Sequence, residues 1–386
     1  MANPALGVVF HWLGGLASGS FYVPYRRVRR WSWETYWLVG GFFSWIIAPW
    51  LLGGLMTRDL LVVLSEAPTR TLFWSFFFGL LWGVGGLTFG LTMRFLGLSL
   101  GMAVALGLCA AFGTLMPPIF SGVFSSQVLG TSSGRVILLG IFVCLLGIAA
   151  AGLAGIFKER AMSPEQQKAT IQEFDLKKGL AVAILSGVMS ACFAYGLAAG
   201  APIKALTLKH GTPTLWQGLP VLVVVLIGGF TTNFIWCLAL NFRNRTGYQY
   251  FTSDPSRYSP VDETIIETAI DAPSREVVEH IPSSRNDNGR SVPMLSNYLF
   301  CALAGTTWYF QFFFYTMGET QMGKYGFSSW TLHMASIIIF SSLWGIGLKE
   351  WKGSGTAAMR LLTLALFLLV GSTMIVGYGN YLGLAH

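Results

Sequence analysis

Ten stretches of this chain, at about 6–25, 36–56, 71–93, 98–120, 135–156, 179–201, 217–240, 296–317, 328–348 and 358–381, are apolar from end to end and almost free of charge. As helices rising 1.5 Å per residue, each is long enough to cross a hydrocarbon layer about 30 Å thick. Of the 386 residues 53% are hydrophobic and 11% charged, and the mean hydropathy is +0.59. A core shielded from water cannot take up that many apolar faces, so the solvent for this chain is a bilayer. The expected fold is an all-α polytopic membrane protein with ten transmembrane helices.

The charges lie between the runs and set an orientation. Nineteen of the 25 Lys and Arg follow the odd-numbered runs or begin the last one. Positive residues stay on the cytoplasmic side, which predicts both termini outside. Arg26, Arg27, Arg29 and Arg30 follow the first run and no basic residue precedes it. A cleaved leader has the reverse order, so this helix is expected to be retained. The net charge of +8 is spread over loops rather than gathered on one folded patch, and no nucleic-acid partner is expected. Cys109, Cys144, Cys192, Cys237 and Cys301 all fall inside apolar runs, without metal-ligand spacing or a disulfide framework.

Residues 241–293 break the composition. Acids gather there with Ser, Arg, Pro and Asn, and apolar periodicity lapses. The segment reads as a disordered cytoplasmic connector, with a short amphipathic piece at 261–270 or a phosphorylation site as the alternative. A second, shorter connector at 158–178 separates the first five runs from the last five. Asp175, ahead of Lys177 and Lys178, reads as the start of a helix at the membrane surface.

The two sets of five carry matching residues in the same order. Gly15, Ser18 and Phe21 in the first run match Gly187, Ser190 and Phe193 in the sixth. Gly40-Gly41-Phe42 in the second matches Gly228-Gly229-Phe230 in the seventh. Gly79, Trp82 and Thr92-Met93 in the third match Gly305, Trp308 and Thr316-Met317 in the eighth. Five runs per repeat place the second repeat upside down relative to the first, so two inverted five-helix repeats are expected, at 1–157 and 179–386. Gly79, Gly83, Gly86 and Gly90 share one helix face, suited to close packing or to sliding.

Polar side chains inside the runs point to a solute path. None of the seventeen acids lies mid-run. His11 and His333 are the ionisable groups left there, able to carry a coupling proton or to act as neutral hydrogen-bonding residues. A neutral, hydroxyl-rich solute needs flat rings for its C–H faces and amides or hydroxyls for its oxygens. Trp12, Tyr22, Trp82 and Trp308 are candidates for the first, with Tyr195 and Tyr309 behind them. Gln311, Asn233 and Ser18 are candidates for the second, with Ser190 and Thr88 behind them. Arg94, Glu319 and Lys349-Glu350 stand near run ends, where long side chains reach toward the interface or pair as gates. Pro24, Pro49 and Pro117-Pro118 mark expected kinks.

Enzyme chemistry finds no support. There is no His-Glu-x-x-His and no mid-run Asp, and Gly130-Thr-Ser-Ser-Gly134, although it fits Gly-x-Ser-x-Gly, follows no strand and reads as a flexible turn. No cofactor or metal is expected.

Several patches are similar to one family. They are Phe10-His11, Phe21-Tyr22-x-Pro24, Trp31-Ser-Trp-Glu-Thr35, Gly90-Leu-Thr-Met-Arg94-x-Leu-Gly97, Gly113-Thr-Leu-Met116, Leu176-Lys-Lys-Gly179, Trp308-Tyr-x-Gln311-Phe-Phe-Phe-Tyr315, Leu332-His-Met334 and Leu348-Lys-Glu-Trp351. Spread over nearly the whole chain outside 241–293, they resemble the L-rhamnose-proton symporter family of the drug/metabolite transporter superfamily. That resemblance implies ten helices in two inverted repeats, the bacterial inner membrane, and uptake of L-rhamnose or a related 6-deoxy sugar with protons. The competing readings are export or exchange of another metabolite, nucleotide sugars included, and a membrane sugar sensor that transports nothing. Nucleotide sugars carry phosphates, and no Lys or Arg lies mid-run to pair with them.

Overall fold

The computed structural model describes residues 2–96, 98–161, 175–258 and 291–384, and among them every regular element is helical. The long helices are α1 (Pro4–Ser20), α2 (Trp33–Met56), α3 (Thr69–Leu96), α4 (Leu98–Phe120), α5 (Ser132–Arg160), α6 (Leu176–Ala199), α7 (Leu219–Asn244), α8 (Met294–Thr320), α9 (Ser329–Gly347) and α10 (Gly355–Leu382). Among the described residues, nine helices are long and apolar enough to cross a membrane. The one outside that set is α8, whose 27 residues include Asn297, Gln311 and Glu319. Helix is the expected answer in lipid, because it satisfies each backbone N–H and C=O within the segment.

Local chemistry sets the helix ends. Asn3 caps α1 by accepting from the Leu6 N–H at 3.2 Å, and Asp175 caps α6 by accepting from the Lys178 N–H at 3.0 Å. Thr131 caps α5 by accepting from the Gly134 N–H, so Gly130–Gly134 is a helix start rather than a free turn. In α2 the backbone widens into a π turn at Phe42–Ile47, just ahead of Pro49, whose nitrogen has no proton to donate. α4 tolerates Pro117 and Pro118 because it ends two residues later.

The packing partners recur in pairs. α1 lies against α8 and α9, and α6 lies against α3 and α4. α3 crosses α7 as α8 crosses α2, α4 packs on α5 as α9 packs on α10, and α5 and α10 pair with each other. Glycine decides two of these crossings. A methyl group on Gly305 would run into the Gly40 carbonyl oxygen, and one on Gly228 would meet the backbone of Phe76, Gly79 and Leu80. On the glycine face of α3, Gly79 and Gly83 meet α7 while Gly86 has nothing within 4 Å; Gly85, off that face, meets Ser190 of α6.

Alternation of helix direction gives the bundle two ends. At one end, Asn3 meets Gln321, Thr131 meets Tyr325, Arg58 meets Thr212, and Gly323 approaches Leu384, so the first and last described residues lie toward this end. At the other end, Arg26 pairs with Glu350, Ser99 meets Glu159, and Arg29 meets Asn297. The described part of 241–293 belongs to this second end and is ordered, in contrast to the disordered connector expected there. α7 continues to Asn244 and short turns follow at Gly247–Tyr250 and Pro255–Arg257. The buried Gln249 accepts from the Ser32 N–H at 2.7 Å, and the buried Glu34 accepts from Thr246 at 2.8 Å and Asn244 at 3.0 Å. Val292 N–H donates to Ser253 O, so the chain leaves and returns at one place. The 261–270 piece lies outside the described residues.

Candidate functional site

The residues that apolar surroundings penalise most meet where α1, α8 and α9 pack. His11 of α1 and His333 of α9 are buried, at 0% and 1% exposure. Both imidazoles stand edge-on to one ring, Tyr315 of α8, each with centroids 5.3 Å away. Trp330 and Phe312 complete the shell of His333 at 5.8 and 5.9 Å. Trp330 is held by donating to the Cys109 carbonyl of α4 at 3.0 Å, and Thr114 and Thr331 join α4 to α9 at 2.7 Å.

Absent side chains make this approach possible. A methyl on Gly14 would lie 2.8 Å from the Gln311 carbonyl oxygen and 3.6 Å from His333 Nδ1, so α1 fits against both helices only because Gly14 has no Cβ. A methyl on Gly318 would lie 2.7 Å from His11 Nε2. One turn from Tyr315 along the same face of α8 is Gln311, also buried. Both nitrogens of His11, His333 Nδ1 and Gln311 Nε2 find no hydrogen-bond partner among the described residues. Buried polar atoms are nearly always paired, so a cluster of unpaired ones marks a place for a ligand, water or proton.

Next to Gln311 the lining turns aromatic. Trp308 of α8 stacks on Trp82 of α3, with centroids 5.7 Å apart and planes 29° from parallel. Trp45 and Phe21 stand edge-on to Trp308 at 5.5 and 6.4 Å, and Phe193 edge-on to Trp82 at 5.0 Å. The two indoles that the repeat pattern pairs thus meet each other, and the paired Phe21 and Phe193 each flank one of them. Beside this cage is a small cavity of about 10 Å³ lined by Phe21, Tyr25, Trp37, Ser44, Trp45 and Trp308, with room for no more than one water. Small-molecule pockets run to hundreds of Å³, so the cavity as it stands is far below that size. The indole N–H of Trp45 is buried without a partner among the described residues.

The other expected residues sit elsewhere or are already engaged. Asn233 of α7 donates to the Gly229 carbonyl at 2.9 Å and accepts from Trp37 Nε1 at 3.2 Å, tying α7 to α2. Trp12 packs edge-on to Phe340, and its N–H has no partner among the described residues. Ser18 is half-buried on α1. Tyr22 lies over Phe21 at 4.1 Å, behind the cage. Glu319 is paired with Lys204 at 2.7 Å, their side chains 24% and 17% exposed. The Arg94 side chain lies outside the described residues. Sequence reasoning singled out neither Tyr315 nor Lys204. Tyr315 had a legible signal, its place one helical turn from Gln311; Lys204 had none, because its partner is 115 residues away.

Comparison with known proteins shows the family. The sequence matches the family described as L-rhamnose-proton symport protein (RhaT) over residues 1–246 and 283–382. The L-rhamnose-proton symporter of Yersinia pestis is 35% identical over 376 residues, covering 97% of this chain and 97% of that one. The L-rhamnose-proton symporter of Cronobacter sakazakii is 35% identical over the same length and with the same coverage. All four of His11, Tyr315, Gln311 and His333 fall within the matched residues, and the chain belongs to the L-rhamnose-proton symporter family.

Proposed function

We propose that this protein imports L-rhamnose, or a closely related 6-deoxy sugar, together with a proton across the bacterial inner membrane. The observation that carries the reading is the meeting of two buried histidines on one tyrosine, beside a glutamine whose Nε2 has no partner among the described residues, in a chain of this family. Ten spans form two inverted repeats of the drug/metabolite transporter type, 1–157 and 179–386, with α8 as the tenth span and both termini outside. The exchange of neighbours between the halves and the recurring Gly40–Gly305 and Gly79–Gly228 crossings support this arrangement. The excess of Lys and Arg at the Arg26 end supports the orientation.

In this mechanism the sugar enters between the halves, laying its C–H faces on Trp82 and Trp308 and accepting a hydrogen bond from Gln311 Nε2. An imidazolium in so apolar a shell needs an acceptor for each N–H, and a sugar hydroxyl supplies one. Sugar and proton therefore favour each other's binding, and each raises the other's affinity by the same factor. The doubly loaded form rocks toward the Arg26 end, where loss of the proton loosens the sugar. At the Asn3 end the Lys204–Glu319 pair closes the path, and Arg94 is a gating candidate at the opposite end.

Uptake of radiolabelled L-rhamnose into vesicles under an imposed pH gradient tests the reading. Wild type accumulates sugar and a protonophore abolishes accumulation. His11→Ala loses gradient-driven accumulation. Gln311→Ala forfeits a hydrogen bond of about 1 kcal/mol and raises KM about five- to tenfold. Protonophore-insensitive uptake removes the coupling, and wild-type kinetics in both variants remove the site.

A further inference from the structure

On one face of α8, a turn apart at each step, stand Glu319, Tyr315, Gln311 and Trp308. The stripe runs from the end of the bundle that holds the chain termini to the aromatic cage, about 16 Å at 1.5 Å per residue. Its outer member is a carboxylate held in an ion pair by the ammonium of Lys204 at 2.7 Å, and both side chains are about four-fifths buried from solvent. The residue before it, Gly318, is where His11 Nε2 packs against α8, and the residue one turn inward, Tyr315, is the ring that both histidines share. Glu319 is thus the ionisable group of α8 that lies between the bundle end and the histidine pair.

We propose that Glu319 is the residue through which the coupling proton enters, and that Lys204 is the counter-charge it leaves and rejoins. The step balances as a simple transfer. A proton from water outside adds to the Glu319 carboxylate and neutralises it, which releases the Lys204 ammonium. The proton then passes to an imidazole nitrogen of His11, and the regenerated carboxylate pairs with Lys204 again. The charged and titratable groups around Glu319 fit this cycle. Lys204, from the segment after α6, pairs with it, Tyr315 stands one turn inward on α8 itself, and His11 of α1 and His333 of α9 lie on that ring. From the turn Gly323–Ser328, Gly326 packs on Glu319, while the Lys324 ammonium sits over the Tyr325 ring at 5.5 Å. In this proposal the ion pair also keeps the entry shut to the sugar until the carboxylate loses its charge.

This inference rests on the proton-coupled reading above, and one assay separates the two. Vesicles carrying wild type, Glu319→Gln or Glu319→Asp are tested for sugar accumulation under a pH gradient and, separately, for exchange of labelled against unlabelled L-rhamnose, which needs no net proton movement. Protonophore-insensitive wild-type accumulation overturns the coupling reading itself. With coupling present, Glu319→Gln, which keeps the size and a hydrogen bond to Lys204, is expected to lower accumulation about a hundredfold, the scale of a lost proton-transfer group. Exchange persists in that variant, and Glu319→Asp restores accumulation. Lys204→Met, which removes the counter-charge, changes the pH profile of uptake. Accumulation at the wild-type level and pH profile in Glu319→Gln overturns the proposal. Equal loss of accumulation and exchange in Glu319→Gln, with no recovery in Glu319→Asp, makes the pair structural and overturns it too.

Discussion

At the scale of single residues, the proposed site is a set of side chains that lipid would penalise and that a solute would satisfy. That His11, His333, Gln311 and Trp308 lie inside the protein was legible in the sequence for that reason: each interrupts an apolar run, and an interruption has to face something other than acyl chains. Asn233 was legible by the same rule and is engaged between two helices, because sequence displays a side chain's chemistry and not its partner. Its two polar atoms are taken by Gly229 and Trp37. Trp82 gives the most direct residue-level prediction. Its indole stacks on Trp308 and stands edge-on to Phe193 and Phe312, so its removal costs the cage one wall. An aromatic pair contributes about 0.5–1.5 kcal/mol beyond its buried area. Trp82→Ala is therefore expected to raise KM for L-rhamnose by about tenfold while Trp82→Phe retains most of the affinity. Equal KM in wild type and Trp82→Ala, measured in the vesicle assay, places the sugar elsewhere.

At the scale of elements, contact between helices in a bilayer is governed by how closely backbones approach, since lipid tails are as apolar as leucine. The matched glycines do this work at Gly305 against Gly40 and at Gly228 against Gly79. Gly305→Leu places a branched side chain where the Gly40 carbonyl lies, and overpacking of this kind costs about 1–3 kcal/mol. The variant is expected to show a lower detergent-solubilised Tm and weaker uptake, whereas Gly86→Leu, at a position with open space around it, leaves Tm near that of the parent. A Tm unchanged in Gly305→Leu means that α2 and α8 do not cross there. The run of glycines on α3 was legible as a packing face, and Gly79 and Gly83 use it against α7, but Gly86 has open space around it. A helical wheel reports direction around one axis, and how far a neighbour runs along that face is a tertiary fact.

At the scale of the whole molecule, the helices were legible because apolar length is a strong signal. The order in 241–258 was not, because those residues are polar and their partners, Ser32 and Glu34, lie about two hundred residues earlier. The distribution of charge makes an orientation claim that the fold itself can test. All five native cysteines are buried, so an introduced one reports alone. Ser126, between α4 and α5, is exposed at the end that holds the termini, and Lys352, between α9 and α10, is exposed at the Arg26 end. With the termini outside, a membrane-impermeant maleimide labels Ser126→Cys in cells whose outer membrane alone is opened, and labels Lys352→Cys only after the inner membrane is broken. The reverse pattern inverts the protein in its membrane and puts the Lys204–Glu319 pair on the cytoplasmic side, where it would meet the proton on its way out. Labelling of both positions from one side is incompatible with the alternation of helix direction that separates the two ends of the bundle.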